Sequence, residues 1–307
     1  MKRVICIILS FCILISCAAC KGMEPESIDG DANIEEENEY DSAYRRTVLY
    51  YATEDGLMVP VMKKIPWEEG IGKAALSYLQ SSYDNDYSAS KLGVMTVIPK
   101  GTVIELKIDG TNAEVMLSQL PDMKEEEQKN MITAIVNTLT EFASIETVSI
   151  IANGKKILKE TSKLVLNVEE SEVAVSSSNA KRITLYFPNS QASLNVPVTR
   201  YVEGGTDFES AVQELIKGPE NEKLLNCFPE GTKLNSASIN ENRAVVDLSG
   251  EFLKAEEVEG LISACYECLY LTASEYAVVY DVELKVDSEN YDLNNLAVFA
   301  PMYANEF

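Results

Sequence analysis

The sequence predicts an α+β protein: a tandem pair of small two-layer domains, each with two helices packed on a mixed three- to five-stranded sheet. Three observations lead there. A chain of 307 residues has the length of about two domains. One pattern of apolar residues occurs twice, 137 residues apart. Within each occurrence the apolar period switches between two, which suits a half-buried strand, and 3.6, which suits an amphipathic helix.

The N-terminus stands outside this fold. Lys2 and Arg3 precede an apolar run from Val4 to Ile15, shorter than the roughly 17 to 25 residues a bilayer span needs and proportioned like a signal-peptide core. The run ends in Leu14-Ile15-Ser16-Cys17, which resembles the bacterial lipobox, where the cysteine receives a diacylglyceryl group and becomes the first mature residue. A cut before Cys20, after Cys17-Ala18-Ala19, is a second reading, and an ordinary secretory signal a third. Cys17 is preferred because Leu14 stands three residues before it. Multiple acyl chains hold a protein stably on a membrane, so the mature chain is expected on the outer face of the cell membrane. From Lys21 to Tyr44 the sequence is acidic, Glu24 to Asp41 holding nine carboxylates, and nearly devoid of apolar residues. Such a segment cannot bury enough surface to offset ordering entropy and is expected to be a disordered tether.

The two copies begin after it. Leu57-Met58-Val59-Pro60-Val61-Met62-Lys63 returns as Leu194-Asn195-Val196-Pro197-Val198-Thr199-Arg200. At the same spacing a helix face repeats: Ile71, Ala74, Ala75, Tyr78 and Leu79 against Phe208, Ala211, Val212, Leu215 and Ile216. Thr206 and Glu209 fit a capping box, and Gly218-Pro219 ends the second helix. Pro99-Lys100-Gly101-Thr102 matches Pro229-Glu230-Gly231-Thr232 at a spacing of 130, so copy one carries seven extra residues, assigned to the polar stretch Tyr83 to Ser90. Ala113-Glu114-Val115-Met116-Leu117-Ser118 then matches Ala244-Val245-Val246-Asp247-Leu248-Ser249. Asp109-Gly110 and Asn240-Glu241-Asn242 suit tight hairpin turns. A second helix follows, with Ile132, Ile135 and Leu139 aligned to Ile262, Cys265 and Leu269, and closing strands at Val148 to Ile151 and Val278 to Tyr280. The expected layout is a signal at 1–16, the tether at 17–44, a first domain at 45–158, a linker at 159–180 and a second domain at 181–307.

Composition excludes whole classes of chemistry. The chain has no histidine, which removes Ser-His-Asp and Cys-His nucleophiles and His-ligated zinc. A formal charge of −23, with 26 Lys and Arg against 49 Asp and Glu, argues against nucleic-acid binding. Cutting away 1–16 removes Lys2 and Arg3 and takes the charge to −25. Cys265-Tyr266-Glu267-Cys268 is a C-x-x-C, but it falls in mid-helix on the apolar stripe, and with no His and only Cys227 left in the expected folded region the ligand count for zinc fails. Core packing is the expected role, with a disulfide from Cys227 to Cys265 or Cys268 left open. Asp247 and Glu251 could be imagined as the acid and base of a cell-wall glycosidase. Asp247 closes a strand and Ser249 is expected to cap the next helix, so backbone hydrogen bonding accounts for them, and Met116 replaces Asp247 in copy one. Trp67 is read either as a partner-surface aromatic or as a staple against the first helix. No acidic cluster has calcium-loop spacing. No catalytic residue, cofactor or metal is expected.

The residues together resemble a known family. Leu185-Tyr186-Phe187, the Arg or Lys after Val-Pro-Val, Gly218-Pro219, the Pro-x-Gly-Thr turn, Val246-Asp247-Leu248-Ser249 with Phe252, and Thr138-Leu139-Thr140-Glu141-Phe142 ahead of Val148 and Asn153-Gly154 are similar to the GerM domain, the sporulation and spore germination domain. Two such domains behind a lipoprotein signal cover nearly the whole chain. Copy one departs from the pattern at Met116, and copy two has Leu271-Thr272-Ala273-Ser274-Glu275-Tyr276 for the Thr-Leu-Thr-Glu-Phe run, so neither motif is expected intact in both halves. The resemblance implies a non-catalytic scaffold or assembly factor of the sporulation envelope, similar to ring-building domains of secretion systems. Implied partners are proteins of the sporulation channel or envelope complex and, through the lipid anchor, the membrane, with an oligomer or ring among the arrangements. A cell-wall binding or hydrolytic protein of the spore cortex is the alternative.

Overall fold

Copy one opens on a hairpin in the computed structural model, which describes residues 43–169, 179–293, 298 and 300–307. Strands β1 (Tyr44–Thr53) and β2 (Met58–Pro66) pair antiparallel, with Tyr50 opposite Pro60. Proline cannot donate to a ladder and is confined to edges, and β2 is the end strand of the order β2-β1-β3, with only a short C-terminal segment beyond it. Helices α1 (Ile71–Tyr78) and α2 (Tyr83–Lys91) lead to β3 (Val94–Met95), two residues paired with the other side of β1. Four strands then form a mixed sheet in sequential order: β4 (Val103–Asp109), β5 (Asn112–Ser118), β6 (Thr147–Ala152) and β7 (Lys155–Thr161). β5 and β6 run parallel, a pairing that needs a crossover, and helix α3 (Glu125–Thr140) supplies it. Gly110-Thr111 and Asn153-Gly154 are two-residue hairpin loops. Positive φ at Gly110, Asn153 and Gly154 suits such turns.

Copy two repeats the plan. β8 (Lys181–Pro188) and β9 (Asn195–Val202) form the hairpin, and α4 (Phe208–Ile216) follows. The four-stranded sheet is β10 (Leu234–Asn240), β11 (Arg243–Leu248), β12 (Asp281–Val286) and β13 (Glu289–Asn290), with β11 and β12 parallel. A 3₁₀ segment, Gly250–Glu257, and α5 (Leu261–Ser274) make the crossover. The fold is therefore α+β in tandem, as expected. In each copy the leading hairpin stands apart from the four-stranded mixed sheet as a sheet of its own. α3 packs on both β1 and β6, and α5 on both β8 and β12, so one long helix ties hairpin to sheet. The buried apolar residues of both copies form one continuous cluster within Ala43–Phe307.

Several local expectations change. The polar insertion is α2, whose N-cap Ser82 accepts from the Asn85 N–H at 3.2 Å. Asp207, not Thr206, caps α4, because its carboxylate reaches the Ser210 N–H at 2.9 Å. Ser249 makes no side-chain cap; its hydroxyl accepts from the Lys233 N–H and donates to Glu251. The closing strand of copy two is β12, and Val278 and Tyr280 ahead of it are exposed. β7 runs to Thr161, past the expected start of the linker.

The largest revision concerns the long helices. Tyr50 N–H donates to Thr138 Oγ1 at 3.0 Å, and Tyr186 N–H to Thr272 Oγ1 at 3.3 Å. The spacing from Thr138 to Thr272 is 134, as it is between the paired strands β6 and β12. Aligning Ile135 with Cys265 is thus one turn out: Cys265 takes the place of Met131, and Leu269 that of Ile135. An apolar stripe looks the same after a slip of four residues, so periodicity alone cannot fix this register.

Candidate functional site

The two copies meet along β2 and β9, and a short segment from each copy crosses to the other. After β7 the chain brings Leu166 to Glu169 alongside β9. Thr199 N–H donates to Leu166 C=O at 3.1 Å and Glu169 N–H to Thr199 C=O at 3.0 Å, a parallel pairing. At the far end Asn305 to Phe307 lie alongside β2, with Met62 N–H donating to Asn305 C=O at 2.8 Å and Phe307 N–H to Met62 C=O at 3.0 Å, again parallel. Each hairpin gains an added strand from the other copy: a third for β8–β9, and a fourth for β1–β2, which already pairs with β3. The exchange is reciprocal.

Two asparagines lock it. Asn167 Oδ1 accepts from Met58 N–H at 2.8 Å, while its Nδ2 donates to Met58 C=O at 2.8 Å and to Pro197 C=O at 2.7 Å. Asn305 repeats this with the copies interchanged: Oδ1 accepts from Asn195 N–H at 2.8 Å, and Nδ2 donates to Asn195 C=O and Pro60 C=O, both at 2.9 Å. Met58 and Asn195, like Pro60 and Pro197, are the matching residues of the two Val-Pro-Val segments. Only an amide offers one acceptor and two donors on a single short side chain.

The Arg or Lys after Val-Pro-Val completes the strap. Arg200 Nε lies 2.6 Å from Glu169 Oε2, both side chains 4% exposed. Its other nitrogens donate to Glu214 C=O at 2.8 Å and Gly218 C=O at 2.7 Å, and the Glu220 N–H donates to Glu169 Oε1 at 2.8 Å. Gly218 is at φ 84°, and a Cβ there would meet the Asn226 amide at 2.8 Å. A buried pair tolerates its desolvation only when the remaining hydrogen-bonding capacity is filled, and here it is. Lys63 occupies the Arg200 position in copy one, its Nζ 4.0 Å from the Phe307 ring centre and 5.4 Å from that of Tyr78. Burial lowers the Lys63 pKa, in keeping with a cation that aromatic faces hold without a carboxylate.

Behind the seam stand two matched tyrosine–glutamate pairs. Tyr50 donates to Glu141 Oε1 at 2.6 Å and Tyr186 to Glu275 Oε1 at 2.8 Å. Burial, then the adjacent carboxylate, pushes both phenols well above their ordinary pKa. Thr138-x-x-Glu141 and Thr272-x-x-Glu275 thus make the same bonds to their hairpins, so the part of the motif that holds the helix is present in copy two, while Phe142 meets Arg45 and Tyr276 meets Phe208. Lys163 bonds Glu141 at 2.5 Å. Cavities of about 260 and 230 Å³ are both lined by Tyr50, Tyr186, Pro60, Lys163 and Glu275.

The residues weighed as chemistry lie elsewhere. Cys227, Cys265 and Cys268 are free, buried thiols, with Cys265 Sγ donating to Cys227 C=O. Burial raises the Cys265 thiol well above its usual range; for Cys268 a bond to Cys227 and then burial do so. A reactive cysteine needs a lowered pKa and access, and these two have neither. Asp247 accepts from Ser288 N–H at 3.0 Å, Ser288 Oγ at 3.1 Å and Asn235 Nδ2 at 3.3 Å. Burial works against its charge, but these bonds and Lys285 prevail and hold its pKa below the carboxylate range. A carboxylate so engaged fastens the β12–β13 turn to β11. Glu251 is lowered by its bond to Ser249, so neither carboxyl has the raised pKa of a general acid. Trp67 is 64% exposed with the Arg45 guanidinium 5.4 Å from its ring centre, which favours the surface reading over the staple. Cys17 lies outside the described residues. Among the described residues no group of three or more His, Cys, Asp or Glu could hold a metal ion, and no helix is long and apolar enough to cross a membrane. Asn167, Asn305, Tyr50 and Glu169 are not singled out by the sequence, and Tyr186 stands out there only within Leu185-Tyr186-Phe187; the signal available is the return of Asn167 as Asn305, 138 residues on.

Comparison with known proteins agrees with this architecture. The chain is 28% identical over 269 residues to the spore germination protein GerM of Bacillus subtilis (strain 168), covering 80% of this chain and 72% of that one. Its fold matches the solved tandem GerMN domains of the sporulation protein GerM from Bacillus subtilis with a TM-score of 0.65 at 23% identity, over 86% of this chain and 99% of that one. The family model for sporulation and spore germination, Germane, matches twice, at residues 48–158 and 184–292. These two matches take in more than half of the sequence, one in each copy, and the chain belongs to the Germane family.

Proposed function

We propose that this protein is a membrane-anchored extracytoplasmic lipoprotein that acts as a non-catalytic scaffold or assembly factor in the sporulation and germination envelope machinery. The observation that carries the reading is the reciprocal strap. Two copies that each extend the other's hairpin form one compact body with two similar lobes, which suits bracing an assembly. The family description and the name of the Bacillus subtilis relative support the process. The carboxylates weighed for cell-wall hydrolysis are committed to backbone and serine hydrogen bonds, which supports a role without catalysis.

Anchoring rests on Cys17, and partners on the family. In sporulating cells a tagged chain should capture proteins of the channel or envelope complex, whereas retention on purified peptidoglycan without such capture would support the cell-wall alternative. Cys17→Ala should move the chain from the membrane to the soluble fraction and abolish palmitate labelling. If membrane fractionation and labelling both persist, the anchor is not at Cys17.

A further inference from the structure

We propose that the cleft formed by the insertion of copy one is a docking site for a partner segment that is both apolar and positively charged. The cleft has a volume of about 540 Å³, within the range that holds a small ligand or a few residues of peptide. Its floor is apolar: Val94, Met95, Val97, Ile98 and Met123. Met95 is 47% exposed, though it lies between buried Val94 and half-buried Thr96. Methionine is adaptable and recurs where a surface must fit varied apolar side chains.

The rim gives the occupant its charge. Asp86, Asp122 and Glu127 line the cleft, and no Lys or Arg does. Asp86 takes hydrogen bonds from Ser81 Oγ at 2.8 Å and Thr96 Oγ1 at 2.6 Å, and Glu127 from the Lys124 N–H at 3.1 Å. These donors are neutral, so the rim keeps its negative charge. Carboxylates around a low-dielectric concavity focus their field and draw in cations. The same charge works against two other occupants. The acidic segment 21–44 would be repelled, and so would a second copy of a chain carrying −23.

An aromatic flank adds exposed apolar surface near the rim, although the Tyr87 ring already holds Lys91, whose Nζ lies 4.4 Å from its centre. Tyr83 and Tyr87, on the helix that carries Asp86, are 83% and 57% exposed and stack at 6.5 Å with 3° between their planes. Exposed aromatics beside an apolar cleft are what the energetic centres of interfaces are made from. Copy two has seven residues fewer in the matching span, so this surface distinguishes one lobe of a symmetric body and would let a scaffold engage a partner in one orientation.

The test uses the full chain and a fluorescein-labelled octapeptide of alternating Lys and Leu, followed by anisotropy. Saturable one-to-one binding is expected. Asp122→Lys and Met95→Asp should each weaken it at least tenfold, while Glu230→Lys, the same charge change in copy two, should weaken it less than threefold. Thermal midpoints check that each variant is folded, and since Asp122 and Met95 are separate surface positions, one suffices if the other is not. The proposal is overturned if Glu230→Lys weakens binding as much as Asp122→Lys, if an alternating Glu and Leu peptide binds equally well, or if binding never saturates. None of these outcomes bears on membrane anchoring or sporulation.

Discussion

Replacing Asn167 with Ala tests the reciprocal strap directly. The side chain makes three hydrogen bonds, two to Met58 and one to Pro197, all between 2.7 and 2.8 Å. At about 0.5–1.5 kcal/mol net for each bond, their loss costs about 2–4 kcal/mol. Asn167 also holds φ at 44°, a left-handed conformation that asparagine tolerates and that costs alanine about 1 kcal/mol or more. Together the change should remove about 3–5 kcal/mol, which for a body of this size is a fall of roughly 6–20 °C in Tm. Urea unfolding followed by circular dichroism measures it. Asn167→Asp keeps the acceptor for Met58 N–H but loses both donations and sets a carboxylate against two carbonyls, so it should lose stability although its size is unchanged. Asn305→Ala should cost a similar amount by the same three bonds. The double variant should cost less than the sum, because the first change already loosens the seam that the second asparagine clamps. A loss under about 1 kcal/mol in Asn167→Ala, or an Asn167→Asp chain as stable as the parent, would refute the claim that these amides hold the copies together.

Other parts of the structure predict separate outcomes. Glu169→Gln leaves Arg200 charged and buried without its carboxylate at 2.6 Å, the Glu214 carboxylate standing farther off at 3.4 Å; the expected loss is about 3–5 kcal/mol in urea unfolding, and an unchanged midpoint would mean that the Glu214 carboxylate alone suffices. The Asp247 pKa is lowered on folding, so its contribution is present above the unfolded value of about 3.9 and is lost as pH falls through the folded pKa. The parent should therefore lose more stability between pH 6 and pH 3 than Asp247→Asn does, and parallel profiles would contradict this. Cys227, Cys265 and Cys268 should resist a thiol reagent in the native chain and all three should react in denaturant; fewer would indicate a disulfide.

Much of the fold was legible because each element carries its own signal. Asp109-Gly110 and Asn153-Gly154 name their turns, Gly218-Pro219 ends its helix, and the alternation in β5 matches its buried face residue by residue. What failed did so for identifiable reasons. The register of α5 against α3 slipped by one turn because Ile135, Leu139, Cys265 and Leu269 satisfy the same stripe either way. Only the polar contacts of Thr138 and Thr272 with the hairpins break that degeneracy. Choosing Thr206 over Asp207 as the cap was a matter of one residue, which composition near a helix start does not resolve.

The strap was illegible for a deeper reason. Residues 164–169 and 302–307 are equivalent, yet Leu-Val-Leu-Asn-Val-Glu and Met-Tyr-Ala-Asn-Glu-Phe share only the asparagine. Backbone N–H and C=O groups make the pairing to β9 and β2, and any side chains permit that. The asparagine alone must be kept, since it reads backbone atoms of both copies at once. The position after it shows how loosely the rest is constrained: a buried carboxylate meets Arg200 in one strap, and a phenyl ring meets Lys63 in the other. Both solutions hold a cation at the end of the Val-Pro-Val strand, one by charge and one by the ring face. A segment whose partner lies in the other repeat reads as linker when either repeat is considered alone, so its role emerges only once the pair is seen folded. It follows that the structural unit is the pair: a lone copy would leave Pro60 or Pro197 C=O and a hairpin edge unpaired, and edges in that state seek strands from elsewhere.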